Sequence, residues 1–330
     1  MVRTAVLGAG RAGERHARAF RACADRCELV GVHDADPAAA AALAERLGVP
    51  VVENPETLMA QSDAAIVAVD LDLRPRLTRA ALERGLDVLV VPPLGPTPDD
   101  AHSLLSSIVR APRRPVAMVA HADHFDPTVR ALRTLVDDQR IVAVHAERLD
   151  PAVAGPPPPL DVVHDLMLHD LQIVLALAGE GIAATQAAGR RLRLNGAVDH
   201  AEALLVMEDD LVASLVASRA SQTRVRRLTV TTTMARISAD LDARTIEAVR
   251  TTSDTGGRRE SVAQRIAVPP DDPAVAQADT FLRHVARRTA PDVGIGMGIA
   301  CQEAALAVLK RIELVAHRPA LRAGRPAAAA

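Results

Sequence analysis

The chain has 330 residues, a length that suits two domains better than one small module. Its 39 basic residues against 41 acidic ones leave a net charge of −2, without the basic excess that a nucleic-acid binder shows. Hydrophobic residues make up 49%, enough for sizeable cores, and three cysteines are too few and too odd a number for a disulfide framework.

Short β-branched runs alternate with alanine-rich helical patterns along the first 120 residues. Strands are expected at Val2–Leu7, Glu28–His33, Val51–Val52, Ala64–Val69, Val88–Val91 and Val116–Ala120, and helices at 11–23, 37–47, 74–84 and 97–110. Gly48 and Gly85 suit helix C-termini, and Asp36-Pro37 suits a helix start. Continuous apolar strands between helices predict a parallel, doubly wound sheet covered on both faces. Beyond it the pattern predicts a helix at 127–137 and a strand at 141–149, then an extended proline connector at Gly155–Pro159 and a helix at 161–178. Strand patterns recur from 182 to 268, with hairpin breaks at Asp209-Asp210 and Gly256-Gly257, and helices follow at 273–288 and 297–316. This second region reads as α+β, a mostly antiparallel open sheet with helices on one face. The expected division is residues 1–122, residues 123–317 and a disordered Ala/Pro/Arg-rich tail at 318–330. No apolar stretch approaches transmembrane length and no cleavable signal precedes the first strand, so a cytoplasmic protein with no membrane partner is expected.

The first strand runs into Gly8-Ala-Gly10-Arg-Ala-Gly13, which opens a helix. In that context the pattern predicts a dinucleotide-binding Rossmann domain. Gly8 permits the turn, Gly10 admits the pyrophosphate and Gly13 allows close helix–strand packing. The free N–H groups of Arg11 and Ala12 at the positive helix end would hold the phosphates. The second strand ends in His33-Asp34, and Asp34 lies 21 residues after Gly13. A carboxylate there accepts the ribose hydroxyls and repels a 2′-phosphate, which predicts NAD rather than NADP.

What is missing narrows the chemistry. The chain has no Tyr and no Trp, and Lys310 is its only lysine, so neither a Tyr–Lys pair nor a Gly-Lys phosphate loop can exist. Proton transfer falls to His, Asp, Glu, Cys or Ser. Asp165 and His169 are four apart on the 161–178 helix and should share a face, where the carboxylate can orient the ring for acid–base work. No third ligand is obvious nearby, so no metal site is expected. Cys23 and Cys27, also four apart, read as helix-packing residues.

These motifs resemble the Gfo/Idh/MocA oxidoreductases over nearly the whole chain. Gly8-Ala-Gly10-Arg-Ala-Gly13-Glu-Arg-His16 matches the family opening. Ala120-His121-Ala-Asp-His124-Phe125-Asp-Pro127 is similar to its Gly-His-x-x-Arg-Phe-x-Pro segment, and Asp165-x-x-x-His169-Asp170 falls on its Asp-x-x-x-His pair. The strings Glu147-Arg148-Leu149 and Ala217-Ser218-Arg219 look most like a UDP-N-acetylglucosamine 3-dehydrogenase-like branch. The resemblance implies hydride transfer between NAD and a carbinol carbon of a sugar, cyclitol or nucleotide sugar. It implies His169 as the proton-exchanging residue with Asp165 in support, His124 near the substrate, and a homodimer or homotetramer built on the open sheet. It also marks departures. The family's Glu-Lys-Pro falls on Val91-Pro92-Pro93, its Pro-Thr-x-x-His reads Asp70-Leu-Asp-Leu-Arg74, and the arginine of the later segment is His124. Those departures leave open a repurposed or degenerate member that binds NAD without hydride transfer.

Overall fold

The computed structural model describes residues 1–151, 160–179, 181–192, 196–253 and 259–316. The proline connector, the Gly256-Gly257 break and the 318–330 tail lie outside the described residues.

Strands β1 (Val2–Leu7), β2 (Cys27–His33), β3 (Ala64–Val67), β4 (Asp87–Val90) and β5 (Ala117–Val119) form a parallel sheet in the order β2-β1-β3-β4-β5. Helices α1 (Arg11–Arg21), α2 (Pro37–Leu47), α3 (Pro55–Ala60), α4 (Arg74–Glu83) and α5 (Pro98–Arg110) connect them. Every residue of β3 and β4 is buried, as an apolar strand covered on both faces must be. Local chemistry sets the helix starts: Asp36 accepts from the Ala38 N–H, and Thr97 with Asp100 closes a reciprocal capping box. The strand expected at Val51–Val52 is a single parallel bridge from Val51 to Val32, because Asn54 already caps α3 two residues later. Helix α3 escapes sequence periodicity because six residues are too few to show it.

The second unit holds α6 (Pro127–Val136), β6 (Ile141–Leu149), α7 (Leu168–Ala178), β7 (Ile182–Arg190), β8 (His200–Met207), β9 (Val212–Ser218), β10 (Val225–Thr232), β11 (Ala235–Asp240), β12 (Thr245–Ser253) and β13 (Arg259–Ala267). They build one open sheet, β13-β12-β11-β10-β6-β9-β8-β7, antiparallel except for the β6–β9 pair. Alternation along β6 sends Val144 and Ala146 into a core shared with Leu171 and Val174 of α7. The same parity carries Arg148 inward, and that places a charge in the core.

Helices α8 (Pro273–Arg287) and α9 (Ile295–Ala316) finish the fold. Helix α8 leaves the large sheet and joins the core of the parallel one. Phe281 and Phe20 are fully buried with ring centroids 5.6 Å apart, and each burial contributes on the order of 2 kcal/mol. Helix α9 contributes to both cores, through Ile299 and through Cys301, Ala305 and Val308. Cys23 and Cys27 are buried, but neither lies within a helix: Cys23 follows α1, and Cys27 opens β2, where its Sγ sits 3.3 Å from Thr4 Oγ1.

Candidate active site

The turn between β1 and α1 fits a dinucleotide. Gly8 has φ +107°, and a side chain there would collide with the Ala68 carbonyl, while one at Gly13 would collide with the Gly8 carbonyl. Gly10 has nothing within 4 Å of an added Cβ, so the approach to the N-terminus of α1 is clear where Arg11 and Ala12 begin the helix. Asp34 is held at the end of β2 by two backbone donors: its Oδ2 accepts from the Ala9 N–H at 2.6 Å and its Oδ1 from the Asp36 N–H at 2.8 Å. A cavity of about 380 Å³ opens beside them, lined by Gly10, Asp34, Val69, Leu73 and Arg76 among others. Arg76 comes from α4 and is invisible to a search for arginines following Asp34.

At the carboxyl end of the parallel sheet, Arg74 is buried without a carboxylate partner among the described residues. Its guanidinium donates to the Val69 carbonyl at 2.8 and 3.2 Å and to the Pro93 carbonyl at 2.6 Å. Burial pushes its pKa down to about 10. It stitches together the turns after β3 and β4, and Gln302 of α9 secures the second by accepting from the Leu94 N–H and donating to the Gly95 carbonyl.

His121 ends this edge of the sheet and meets His169 of α7 edge to face, with ring centroids 6.1 Å apart. This contact puts His169 at the carboxyl end of the parallel strands, where open α/β sheets bind ligands. His121 is fully buried with neither ring nitrogen hydrogen-bonded, and burial pushes its pKa down to about 3. His169 is half-buried, and its Nδ1 is enclosed without a partner. Burial lowers its pKa more strongly than the nearby Asp123 raises it, which favours the neutral ring.

The segment before α7 departs from expectation. Val163–Met167 form a π-helical turn, so the helix expected over 161–178 is regular only from Leu168 onward, with Asp165 in the π-turn and His169 in α7. The Asp165 carboxylate is ion-paired to Arg219, just beyond β9, and no hydrogen bond joins it to His169. His124 is held between Arg133 and Gln172 at 3.1 and 3.0 Å, and burial followed by the Arg133 charge pushes its pKa down to about 4. The turn after β5 and the inner face of β6 share a buried ionic chain. Arg148 donates to both Asp170 oxygens at 2.7 and 2.9 Å and pairs with Asp123 at 2.8 Å, and Asp123 accepts from Arg226 at 2.6 Å. Burial alone would raise the Asp123 carboxyl, but Arg148 and Arg226 hold it well below the carboxylate range. Sequence reasoning missed this chain, although Arg148 at an inward position of an alternating strand signals that carboxylates must meet it.

A glycine-cradled dinucleotide turn at the carboxyl end of the parallel sheet, with a histidine of a second, open-sheet unit brought to that same end, defines a two-part nicotinamide-dependent oxidoreductase. Residues 2–121 match the oxidoreductase family model with the NAD-binding Rossmann fold, and residues 128–238 match the GFO/IDH/MocA C-terminal domain. The chain belongs to the Gfo/Idh/MocA oxidoreductase family, and its cofactor is NAD. It is 26% identical to the UDP-N-acetylglucosamine 3-dehydrogenase of Acidithiobacillus ferrooxidans over 236 residues, 69% of this chain and 71% of that protein. It is 33% identical to a myo-inositol dehydrogenase of Streptomyces leeuwenhoekii over 230 residues, covering 65% of this chain and 69% of that one. A solved structure of the Acidithiobacillus enzyme superposes with a TM-score of 0.88 at 25% identity, covering 96% of this chain and 99% of that one. Levoglucosan dehydrogenase bound to NADH shares the fold at a TM-score of 0.84 and 16% identity, covering 95% and 97%. No helix among the described residues is long and apolar enough to cross a membrane.

Proposed function

We propose that this protein is an NAD-dependent dehydrogenase acting on a carbinol carbon of a sugar, cyclitol or nucleotide sugar, with His169 exchanging the hydroxyl proton. The observation that carries it is the half-buried His169 ring at the carboxyl end of the NAD-binding sheet, edge to face with His121. NAD, when bound, supplies the hydride acceptor, and the chain's own residues do the rest. Gly8, Gly10, Arg11, Ala12 and Gly13 receive the pyrophosphate, and Asp34 takes the ribose hydroxyls. A neutral imidazole accepts the proton that leaves the substrate oxygen, and the half-exposed Asp165 carboxylate beside it orients a second hydroxyl. His124, engaged on both sides, shapes the wall through Arg133 and Gln172 rather than exchanging protons.

The names of the relatives, dehydrogenases of a nucleotide sugar and of cyclitols, support this substrate class. Neither family model nor relative favours a non-catalytic binding protein. The open sheet presents Leu204, Val206, Val212 and Val216 away from its helices, and we place the homo-oligomer contact there, in a cytoplasmic enzyme.

The test is spectrophotometric. Purified protein and NAD are challenged with UDP-N-acetylglucosamine, myo-inositol and simple pyranoses while reduced nicotinamide is followed. His169→Ala is expected to lower kcat by about 10²–10⁴ with NAD affinity held within a few fold. Turnover in His169→Ala near that of the unaltered protein refutes the assignment, and no reduction with any polyol refutes the dehydrogenase reading.

A further inference from the structure

Asp165 precedes His169 by four residues and is ion-paired, but not to a lysine: the only one in the chain, Lys310, stands exposed on α9. The cation at Asp165 is an arginine from the other side of the fold. The Arg219 side chain is only 4% exposed, whereas the Asp165 side chain it grips is 43% exposed. One arm of its guanidinium donates to the Leu160 carbonyl at 2.9 Å and the other to Asp165 Oδ2. Its backbone is pinned as well, by an N–H donated to the Asp199 carbonyl at 2.8 Å, while the preceding Ser218 carbonyl accepts from Asp150. The guanidinium thus spans from Leu160, ahead of the π-helical turn, to Asp165 within it. A planar fork fixed at one end imposes direction on the group at its other end, which a lysine ammonium cannot do.

We propose that Arg219 is the positioning residue of the Asp165–His169 pair, a fixed guanidinium that holds the half-exposed Asp165 carboxylate instead of letting it close onto the imidazole. This rests on the dehydrogenase reading of the same site. His169 is faced by Asp123 from the turn after β5, by Arg148 from β6, by His121 from the end of β5, and by Asp165 and Asp170 from its own segment. Among these groups Asp165 is the one that Arg219 holds. Releasing it frees a carboxylate to approach the ring, and removing it takes a negative charge away.

The experiment follows the His169 imidazole by proton NMR across pH in the NAD-bound protein, assigned by its loss in His169→Ala, with no substrate present. Arg219→Gln is expected to raise the His169 midpoint by roughly 0.5 pH unit or more, because the freed carboxylate favours the charged ring. Asp165→Asn is expected to lower it, and Arg219→Gln in the Asp165→Asn background is expected to add nothing. Arg219→Lys, which keeps the charge but loses the fork, is expected to fall between the unaltered protein and Arg219→Gln. An unmoved midpoint in Arg219→Gln, or the same rise with Asp165 already neutralised, overturns the proposal. If Arg219→Gln does not fold, an Arg219→Lys midpoint that matches the unaltered protein, or an Asp165→Asn midpoint that fails to fall, overturns it instead. Failure to oxidise any polyol counts against the dehydrogenase reading alone, since the titration uses none.

Discussion

Asp34 is the position at which a single atom exchange separates charge from shape. Its two carboxylate oxygens each accept one backbone N–H, from Ala9 and from Asp36. Asp34→Asn keeps the outline but turns one acceptor into an amide donor, which then faces a backbone donor. That mismatch costs the fold about 1–3 kcal/mol. The charge has a separate effect on the cofactor. A 2′-phosphate charge placed about 4 Å from the carboxylate is repelled by about 1 kcal/mol if water screens it fully, and about 4 kcal/mol at the effective dielectric of a protein surface. Arg76 lines the same cavity and offsets part of this, so the lower half of the range is expected. NAD(H) should therefore bind at least about tenfold tighter than NADP(H), equivalent to about 1.4 kcal/mol. Asp34→Asn should erase most of that ratio, and Arg76→Ala should widen it. Fluorescence titration with NADH and NADPH measures the ratios, and urea unfolding without cofactor isolates the cost to the fold. Equal affinity for both cofactors in the unaltered protein, or a ratio unmoved by Asp34→Asn, refutes the placement of Asp34 at the ribose.

Three further outcomes follow from the same structure. Gly13→Ala drives a methyl into the Gly8 carbonyl, so α1 must shift away from β1; a loss of about 1–3 kcal/mol in urea unfolding and at least tenfold weaker NADH binding are expected. His121 titrates at about 3 when folded against 6.5 as the ordinary value, so below pH 6.5 the unfolded chain binds a proton that the folded one refuses. Stability contributed by this group is present above that ordinary value and drains away as the pH falls toward 3, by about 1.4 kcal/mol per pH unit, and His121→Leu should flatten the slope by that amount in urea unfolding between roughly pH 6 and 4. If the outer face of the open sheet is the proposed homo-oligomer contact, Leu204→Glu should shift the protein toward monomer in light scattering, and a monomeric unaltered protein at micromolar concentration counts against that interface.

Local rules were enough wherever the answer lay within one turn or one strand. The glycines after β1, the aspartate ending β2, the helix start at Asp36, and the alternation along β6 to β11 are each set by backbone sterics or a single periodicity, so they can be read from the order of residues. The parallel sheet, the open sheet and the cofactor were legible for that reason, and the Asp165/His169 spacing was visible as a pattern. Other features depended on residues far apart in the chain. Helix α8 returns to the first core because Phe281 finds Phe20. Arg148 is tolerable inside β6 because Asp123 and Asp170 arrive from two other segments to neutralise it. A π-helical turn holds Asp165, and Arg219, more than fifty residues later, captures its carboxylate. A buried charge must be met by whichever opposite charge the fold brings within reach, and that is decided by packing in three dimensions rather than by distance along the chain.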